Sequence, residues 1–184
     1  VGIMIGDGGL SKYQVIVTLH HIDDADYARY VLRLMLKLFR ITPRVYHSER
    51  NSVNDLVISR AALVQFLNGI GLPIGDKIKQ HITVPSWIRR SRSFTRACLR
   101  GLFDTDGCVF THRYYSSGHF YSYKKIAFTS ASESLRKAIF ELLVREGLHP
   151  RVSNKDVRLE RVDDVEYYFA VIGSRNPKHL RRFK

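Results

Sequence analysis

Near the start of the chain Tyr13, Val15, Val17 and Leu19 interleave with Lys12, Gln14, Ile16, Thr18 and His20. A period of two is that of a strand with one buried face. From residue 23 to 39 the spacing changes. Tyr27, Tyr30, Val31, Leu34, Met35 and Leu38 recur every three or four positions, which predicts an amphipathic helix with Asp23 as its N-cap. Strands are expected over 44–50 and 55–59 around an Arg50-Asn51-Ser52 turn, then a helix over 61–67 ended by Asn68-Gly69. The same order recurs later: strand 124–130, helix 134–146 ended by Gly147, strands 151–155 and 166–172, and a basic helix from Pro177. Residues 81–92 read as a connector, with Val84-Pro85-Ser86-Trp87 as a turn and an aromatic anchor.

The recurrence extends to particular residues. Gly2-Ile3-Met4-Ile5-Gly6-Asp7-Gly8 matches Gly101-Leu102-Phe103-Asp104-Thr105-Asp106-Gly107. Ile41-Thr42-Pro43-Arg44-Val45 matches Leu148-His149-Pro150-Arg151-Val152, and Ile58-Ser59-Arg60 is echoed by Ile172-Gly173-Ser174-Arg175. The separations grow from 99 (Asp7 to Asp106) to 107 (Pro43 to Pro150) to 115 (Ser59 to Ser174). Ordered landmarks with modest growth indicate a duplicated unit with longer loops in its second copy. The tyrosine-rich stretch 111–123 and the charged stretch 155–166 are the expected insertions. The fold class is therefore α+β: two αββαββα units, a first repeat over 1–80, a connector over 81–92 and a second repeat over 93–184.

Charge narrows the choice of partner. Thirty Lys and Arg against seventeen Asp and Glu leave +13 in 184 residues, an excess that favours a polyanion. The basic residues lie mostly in strand-like segments, not on an amphipathic helix, which argues against lipid. No apolar run approaches a membrane span. Cys98 and Cys108 form neither a zinc pattern nor a disulfide framework, which points to a reducing, intracellular setting. The chain opens on Val1, inside an expected helix, so residues are expected to precede it.

The paired Asp-Gly motifs carry the chemistry. Gly2 and Gly101 would let two helices approach closely, and Gly8 and Gly107 suit helix C-termini. A carboxylate at the negative end of a helix is unfavourable. If the helices pack about the twofold axis of the duplication, Asp7 and Asp106 meet and repel unless a cation joins them. Magnesium suits carboxylate, carbonyl and water ligands completed by substrate phosphate, and such a site can serve phosphodiester hydrolysis.

Residues 1–8 and Leu99-Arg100-Gly101-Leu102-Phe103-Asp104-Thr105-Asp106-Gly107 resemble the two LAGLIDADG motifs of monomeric homing endonucleases. The second is near consensus. The first departs from it at Ile5-Gly6, similar to archaeal intron- and intein-encoded members, as is the stretch from Gly71 through Val84-Pro85-Ser86-Trp87-Ile88. The resemblance implies motif helices at a pseudo-twofold interface and two antiparallel sheets forming a saddle over DNA. It implies metal at Asp7 and Asp106, with Gly6 and Thr105 beside them, and magnesium as cofactor with manganese as an acceptable substitute. The implied reaction is site-specific cleavage of both strands of a long asymmetric target, across the minor groove, leaving 3′ overhangs. The implied setting is a monomer in the cytoplasm of an archaeon, or in a eukaryotic organelle. Asp104 has no acidic counterpart in the first copy and is not assigned a catalytic role.

In the family a basic residue after the first repeat lies by the active site, so Lys77 and Lys79 are its candidates here; the alternative is a solvated basic loop. The second copy ends before an equivalent loop, so the site is expected to be asymmetric. Gln14, His20, His21 and Thr129 are candidates for polar support of the site. A strand ribbon fits the major groove and reads base edges with alternate side chains. Lys12, Gln14, Thr18, His20, Arg44, Tyr46, Ser48 and Arg50 in the first copy suit that task. Lys125, Thr129, Arg151, Ser153, Lys155 and Arg158 suit it in the second.

Rival functions share the scaffold. An RNA maturase acting on its host intron would tolerate loss of the acids, yet both are present, so host intron RNA stays open as a second partner. A non-catalytic DNA-binding regulator would carry an extra helix-turn-helix, for which no residues remain. A basic ribosome-associated protein leaves the duplicated Asp-Gly helices unexplained. If phosphate contacts dominate binding, affinity for duplex DNA falls by roughly a thousandfold or more between about 50 and 200 mM salt. A flat response in a fluorescence-anisotropy titration would refute the basic saddle.

Overall fold

The computed structural model describes residues 1–184. The first half runs α1 (Gly2–Ile5), β1 (Gly8–Leu10), β2 (Gln14–His20), α2 (Ala25–Phe39), β3 (Arg44–Ser48), β4 (Val53–Ser59) and α3 (Ala61–Gly69). A connector with a 3₁₀ turn at Ser86–Arg90 leads to α4 (Arg92–Asp106), β5 (Gly107–Ser116), β6 (His119–Thr129), α5 (Glu133–Arg145), β7 (Arg151–Ser153), β8 (Asp156–Leu159), α6 (Val162–Tyr167) and α7 (Pro177–Phe183). The two four-stranded antiparallel sheets are ordered β1-β2-β4-β3 and β5-β6-β8-β7. The order is the same in both, so the chain is built of two like halves. No helix is long and apolar enough to cross a membrane.

Alternation along β2 buries Val15, Val17 and Leu19, and the facing β4 residues Leu56 and Ile58 complete that side. Helix α2 covers it with Tyr27, Ala28, Val31 and Met35. In the second half Val109, Ile126 and Phe128 meet Leu135, Ile139 and Leu142 of α5. These residues belong to one continuous hydrophobic cluster that also takes in Leu99, Leu102 and Phe103 of α4. The halves therefore share a core, and its centre is the contact between α1 and α4.

That contact depends on glycine. A Cβ on Gly2 would lie 2.2 Å from the Cys98 carbonyl oxygen, and one on Gly101 would lie 2.8 Å from the Ile3 nitrogen. The expectation for Gly8 and Gly107 needs correction. Neither has positive φ, and Gly107 is extended, so they are not left-handed helix caps. Each starts a strand that leaves its helix at once. A Cβ there would lie 2.4 Å from the Met4 Cα or 2.2 Å from the Phe103 carbonyl oxygen.

The second half departs from expectation in three places. Residues 111–123 form no loop: β5 and β6 pair through Ser116 and His119 across a two-residue Ser117-Gly118 turn with positive φ at both positions, the geometry that matches strand twist. Residues 166–172 are helical, not a strand: α6 is followed by a π turn over Tyr168–Ile172. The buried Val165, Tyr168 and Ile172 recur at helical spacing. The missing strand is β8, within the charged stretch, where Val157 and Leu159 are buried and Asp156 and Arg158 face away.

The strand registers therefore realign the copies. Val17 pairs with Leu56, and Phe128 with Val157, so Arg60, ahead of α3, corresponds to Arg161, ahead of α6. Ile172-Gly173-Ser174-Arg175 is not the counterpart of Ile58-Ser59-Arg60. The insertion lies in the β5–β6 ribbon, and the turn from β7 to β8 is the shorter one. Substituting Gly101→Val should lower unfolding free energy by about 3 kcal/mol; an unchanged urea midpoint would show that the helices do not need this approach.

Candidate active site and nucleic-acid face

Asp7 follows α1 and Asp106 is the last residue of α4, so each acid sits where a motif helix turns into the first strand of its sheet. The two ends meet closely. A Cβ on Gly6 would lie 2.0 Å from the Thr105 hydroxyl and 3.1 Å from a carboxylate oxygen of Asp106. Both acids are half-buried, and neither forms an ion pair with arginine; Asp7 and Asp106 are absent from all eleven ion pairs of the chain. Burial pushes Asp7 up to about 6, reinforced by the charge of Asp24 and opposed by Lys77 and Lys178. Burial pushes Asp106 up to about 7, reinforced by Asp7 and opposed by Lys77. A charge on Asp7 opposes loss of the Asp106 proton.

Lys77 stands at this junction. Its ammonium donates to the carbonyl of Gly6 and, at 2.9 Å, to that of Gly8. Burial lowers its pKa although both acids pull it upward. Lys79 is placed differently: its ammonium is exposed and its partner is Asp76 at 3.8 Å, so the structure separates the two candidate lysines. Sequence reasoning missed a third. Lys178 lies 101 residues after Lys77, the same separation as Arg60 and Arg161, and its charge acts on Asp7. Lys178 lies at the start of α7, whereas Lys77 lies in a turn, so the two lysines reach Asp7 from different local structures.

The donor set fits a hard divalent cation. Two desolvated carboxylates, with the Gly6 carbonyl now occupied by an ammonium, are oxygen ligands that a cation would reconcile. The Thr105 hydroxyl is turned back to the Gly101 and Leu102 carbonyls, leaving only its main chain toward the site. No cluster of three or more His, Cys, Asp or Glu side chains is present, so such an ion would complete its shell with water and phosphate. Asp104 has another task. It is buried and accepts from the Ser174 hydroxyl at 2.5 Å and from the Arg175 and Asn176 amides at 2.8 and 3.2 Å.

Register places the other candidates. Gln14, Thr18 and His20 alternate with the buried residues of β2, and Arg44, Tyr46 and Ser48 share their face through pairing with β4. Lys125, Thr129, Arg151, Ser153 and Arg158 lie on the corresponding face of the second sheet. Arg50 sits in the turn between β3 and β4, Lys12 in the turn before β2 and Lys155 in the turn before β8. Thr18 donates to Asp55 at 2.6 Å and Thr129 to Asp156 at 2.8 Å, equivalent bonds in the two halves. They commit both threonines to the sheet. Arg158 is held by Asp156 and Lys125 by Glu160. His20 accepts from the Asp23 amide, and His21 packs against both His20 and His47. An aromatic ladder on the same face was also missed: His112, Tyr114, Tyr121 and Tyr123 are in ring contact. The alternation of aromatic residues at 112, 114, 121 and 123 is the signal in the sequence that this stretch is a strand ribbon.

A family model described as a LAGLIDADG-like domain matches residues 93–183. No curated protein matches the chain in sequence. Solved structures match over nearly its whole length. LAGLIDADG meganuclease I-AabMI bound to uncleaved DNA is 11% identical with a TM-score of 0.64, covering 99% of this chain and 85% of its own. The I-LtrWI LAGLIDADG homing endonuclease bound to target DNA is 13% identical with a TM-score of 0.64, covering 98% and 84%. I-SmaMI bound to an uncleaved DNA target in the presence of calcium ions is 14% identical with a TM-score of 0.64, covering 97% and 85%. At these identities the likeness is one of fold.

Carboxyl pKa values raised on folding mean that the folded protein binds protons more tightly than the unfolded chain. The associated stability is full below the unfolded value near 3.8 and is lost as pH rises through about 6 and about 7. In chelator, Asp106→Asn should therefore be more stable than the parent chain by about 2 kcal/mol at alkaline pH, with the gain shrinking as pH falls toward that unfolded value. A variant less stable than the parent throughout, by chemical denaturation, would show that the acids are not in conflict.

Proposed function

With a LAGLIDADG-like domain in residues 93–183 and the fold of LAGLIDADG homing endonucleases along the whole chain, we propose that this protein is a site-specific double-strand DNA endonuclease. Its two repeats, 1–80 and 93–184 joined by 81–92, supply one acid each to a shared centre. The observation that carries this reading is the pair Asp7 and Asp106: half-buried, mutually repelling and free of any arginine partner, where two helix ends meet. A fold kept for structure alone has no use for that arrangement, because carboxylates at helix C-termini lower stability.

Magnesium is the proposed cofactor, with manganese able to replace it; a neighbour of the same fold binds its DNA target in the presence of calcium ions. Asp7 and Asp106, with the main-chain carbonyls of Gly6 and Thr105 close by, would hold it. When bound, the ion activates water and stabilises the leaving oxygen of a phosphodiester. Lys77 would leave the Gly6 carbonyl for a non-bridging phosphate oxygen, and Lys178, whose charge also acts on Asp7, would serve the other strand. Both offset charge that grows as water adds to phosphorus and the bond to the leaving oxygen breaks. Lys79 belongs to the solvated surface.

The two sheet faces then lie along a duplex. Arg44, Tyr46, Ser48 and Arg50 in one half, and Lys125, Arg151, Ser153, Lys155 and Arg158 in the other, would contact phosphates and base edges. The net charge of +13 supplies the non-specific part of the affinity. The product is a double-strand break with 3′ overhangs. To test this, a plasmid library carrying randomised inserts is incubated with the protein and magnesium, and the cut ends are sequenced. A recurrent long asymmetric target is expected, with cleavage lost on chelation or in Asp106→Asn and binding retained in the variant. Cleavage by Asp106→Asn at the parent rate would overturn the reading.

A further inference from the structure

Lys77 and Lys178 are the two lysines whose charges act on Asp7, yet they are held by different chemistry. Lys77 has only main-chain carbonyls as hydrogen-bond partners, those of Gly6 and Gly8. Lys178 is bonded to a carboxylate oxygen of the buried Asp24 at 2.7 Å. The same oxygen accepts from the Asn176 side-chain amide at 2.7 Å, and that amide also donates to the Asp104 carbonyl at 3.0 Å, two residues before Asp106. Asp24 is thus fastened to the motif helix of the opposite half. The other half has no such device. Ser132 stands where Asp24 stands, ahead of the second helix, and its hydroxyl donates to the Ile82 carbonyl at 2.8 Å.

The consequence follows from charge. Removing one partner from a buried ion pair leaves the other uncompensated, which is strongly unfavourable. Lys178 therefore meets a phosphate with its charge already neutralised and its position tied, whereas Lys77 exchanges neutral carbonyls for the phosphate.

We infer that Asp24 is a positioning residue that restrains Lys178, so that the two DNA strands are cut in a fixed order, the strand served by Lys77 first. This inference rests on the endonuclease reading and deepens it.

The test uses a supercoiled plasmid bearing the best-cut target, with the two strands distinguishable by end label. The parent chain should accumulate nicked circles, all nicked in the same strand. Asp24→Asn keeps an acceptor for the Asn176 amide but removes the charge that neutralises Lys178, and should raise the ratio of second-cut to first-cut rate several-fold, so that nicked circles become scarce. Lys178→Met should move that ratio the opposite way, roughly a hundredfold down, and remains informative if Asp24→Asn fails to fold, which thermal melting would reveal. Nicks divided equally between the strands of the parent, or variants that slow both cuts alike, would overturn the inference while leaving the endonuclease reading intact. Absence of any cut in either strand would remove both.

Discussion

The close packing of α1 on α4 is the constraint from which the rest of the structure follows. Gly2 and Gly101 bring the two backbones within reach, because any Cβ at either position would overlap the facing main chain. One turn further on, Gly6 lies against the Thr105 side chain, again with no room for a Cβ. The helices end side by side at Gly6 and Thr105, so the neighbouring Asp7 and Asp106 come together without any contact of their own to draw them. Hydrophobic burial of Ile5, Leu99, Leu102 and Phe103 overrides the repulsion between the acids. The fold holds an electrostatic conflict in place, and such conflicts cluster at functional sites.

The halves share a plan but not its details. The long β5–β6 ribbon, the short β7–β8 turn and the helical segment after β8 make the second half a different surface from the first. At the centre the difference is chemical. Asp104 gathers Ser174, Arg175 and Asn176, and its counterpart in the first half, Ile5, is buried hydrocarbon. The tail of the second half is thereby fastened across the interface, with Asn176 joining Asp24 of one half to the motif helix of the other. The two halves therefore present unlike faces.

Charge on the sheet faces is organised by acids as well as by bases. Asp156 and Glu160 hold Arg158 and Lys125, and Asp55 and Asp156 hold Thr18 and Thr129. Fixed side chains lose less entropy on binding than free ones, so partial self-pairing does not disqualify these faces as binding surfaces. The aromatic ladder of the ribbon adds rigid apolar surface beside these groups.

Much of this was legible in the order of residues alone. The matched Gly-to-Asp-Gly motifs showed the duplication, the spaced apolar positions showed α2, α5 and β2, and the glycines anticipated the helix contact. These are local or repeated signals, and periodicity conveys them directly. The strand expected over 166–172 was a helix because a short apolar run fits either period, and only packing of Val165, Tyr168 and Ile172 against the core resolves it. Which lysine reaches the acids was also beyond the sequence: Lys77 and Lys79 are two residues apart in similar surroundings, and the path of the loop buries one and exposes the other. The sequence by itself determined that two acids exist in equivalent frames. Tertiary structure decided which cations, carbonyls and carboxylates surround them, because those neighbours come from segments far apart in the chain, brought close only by the shared core.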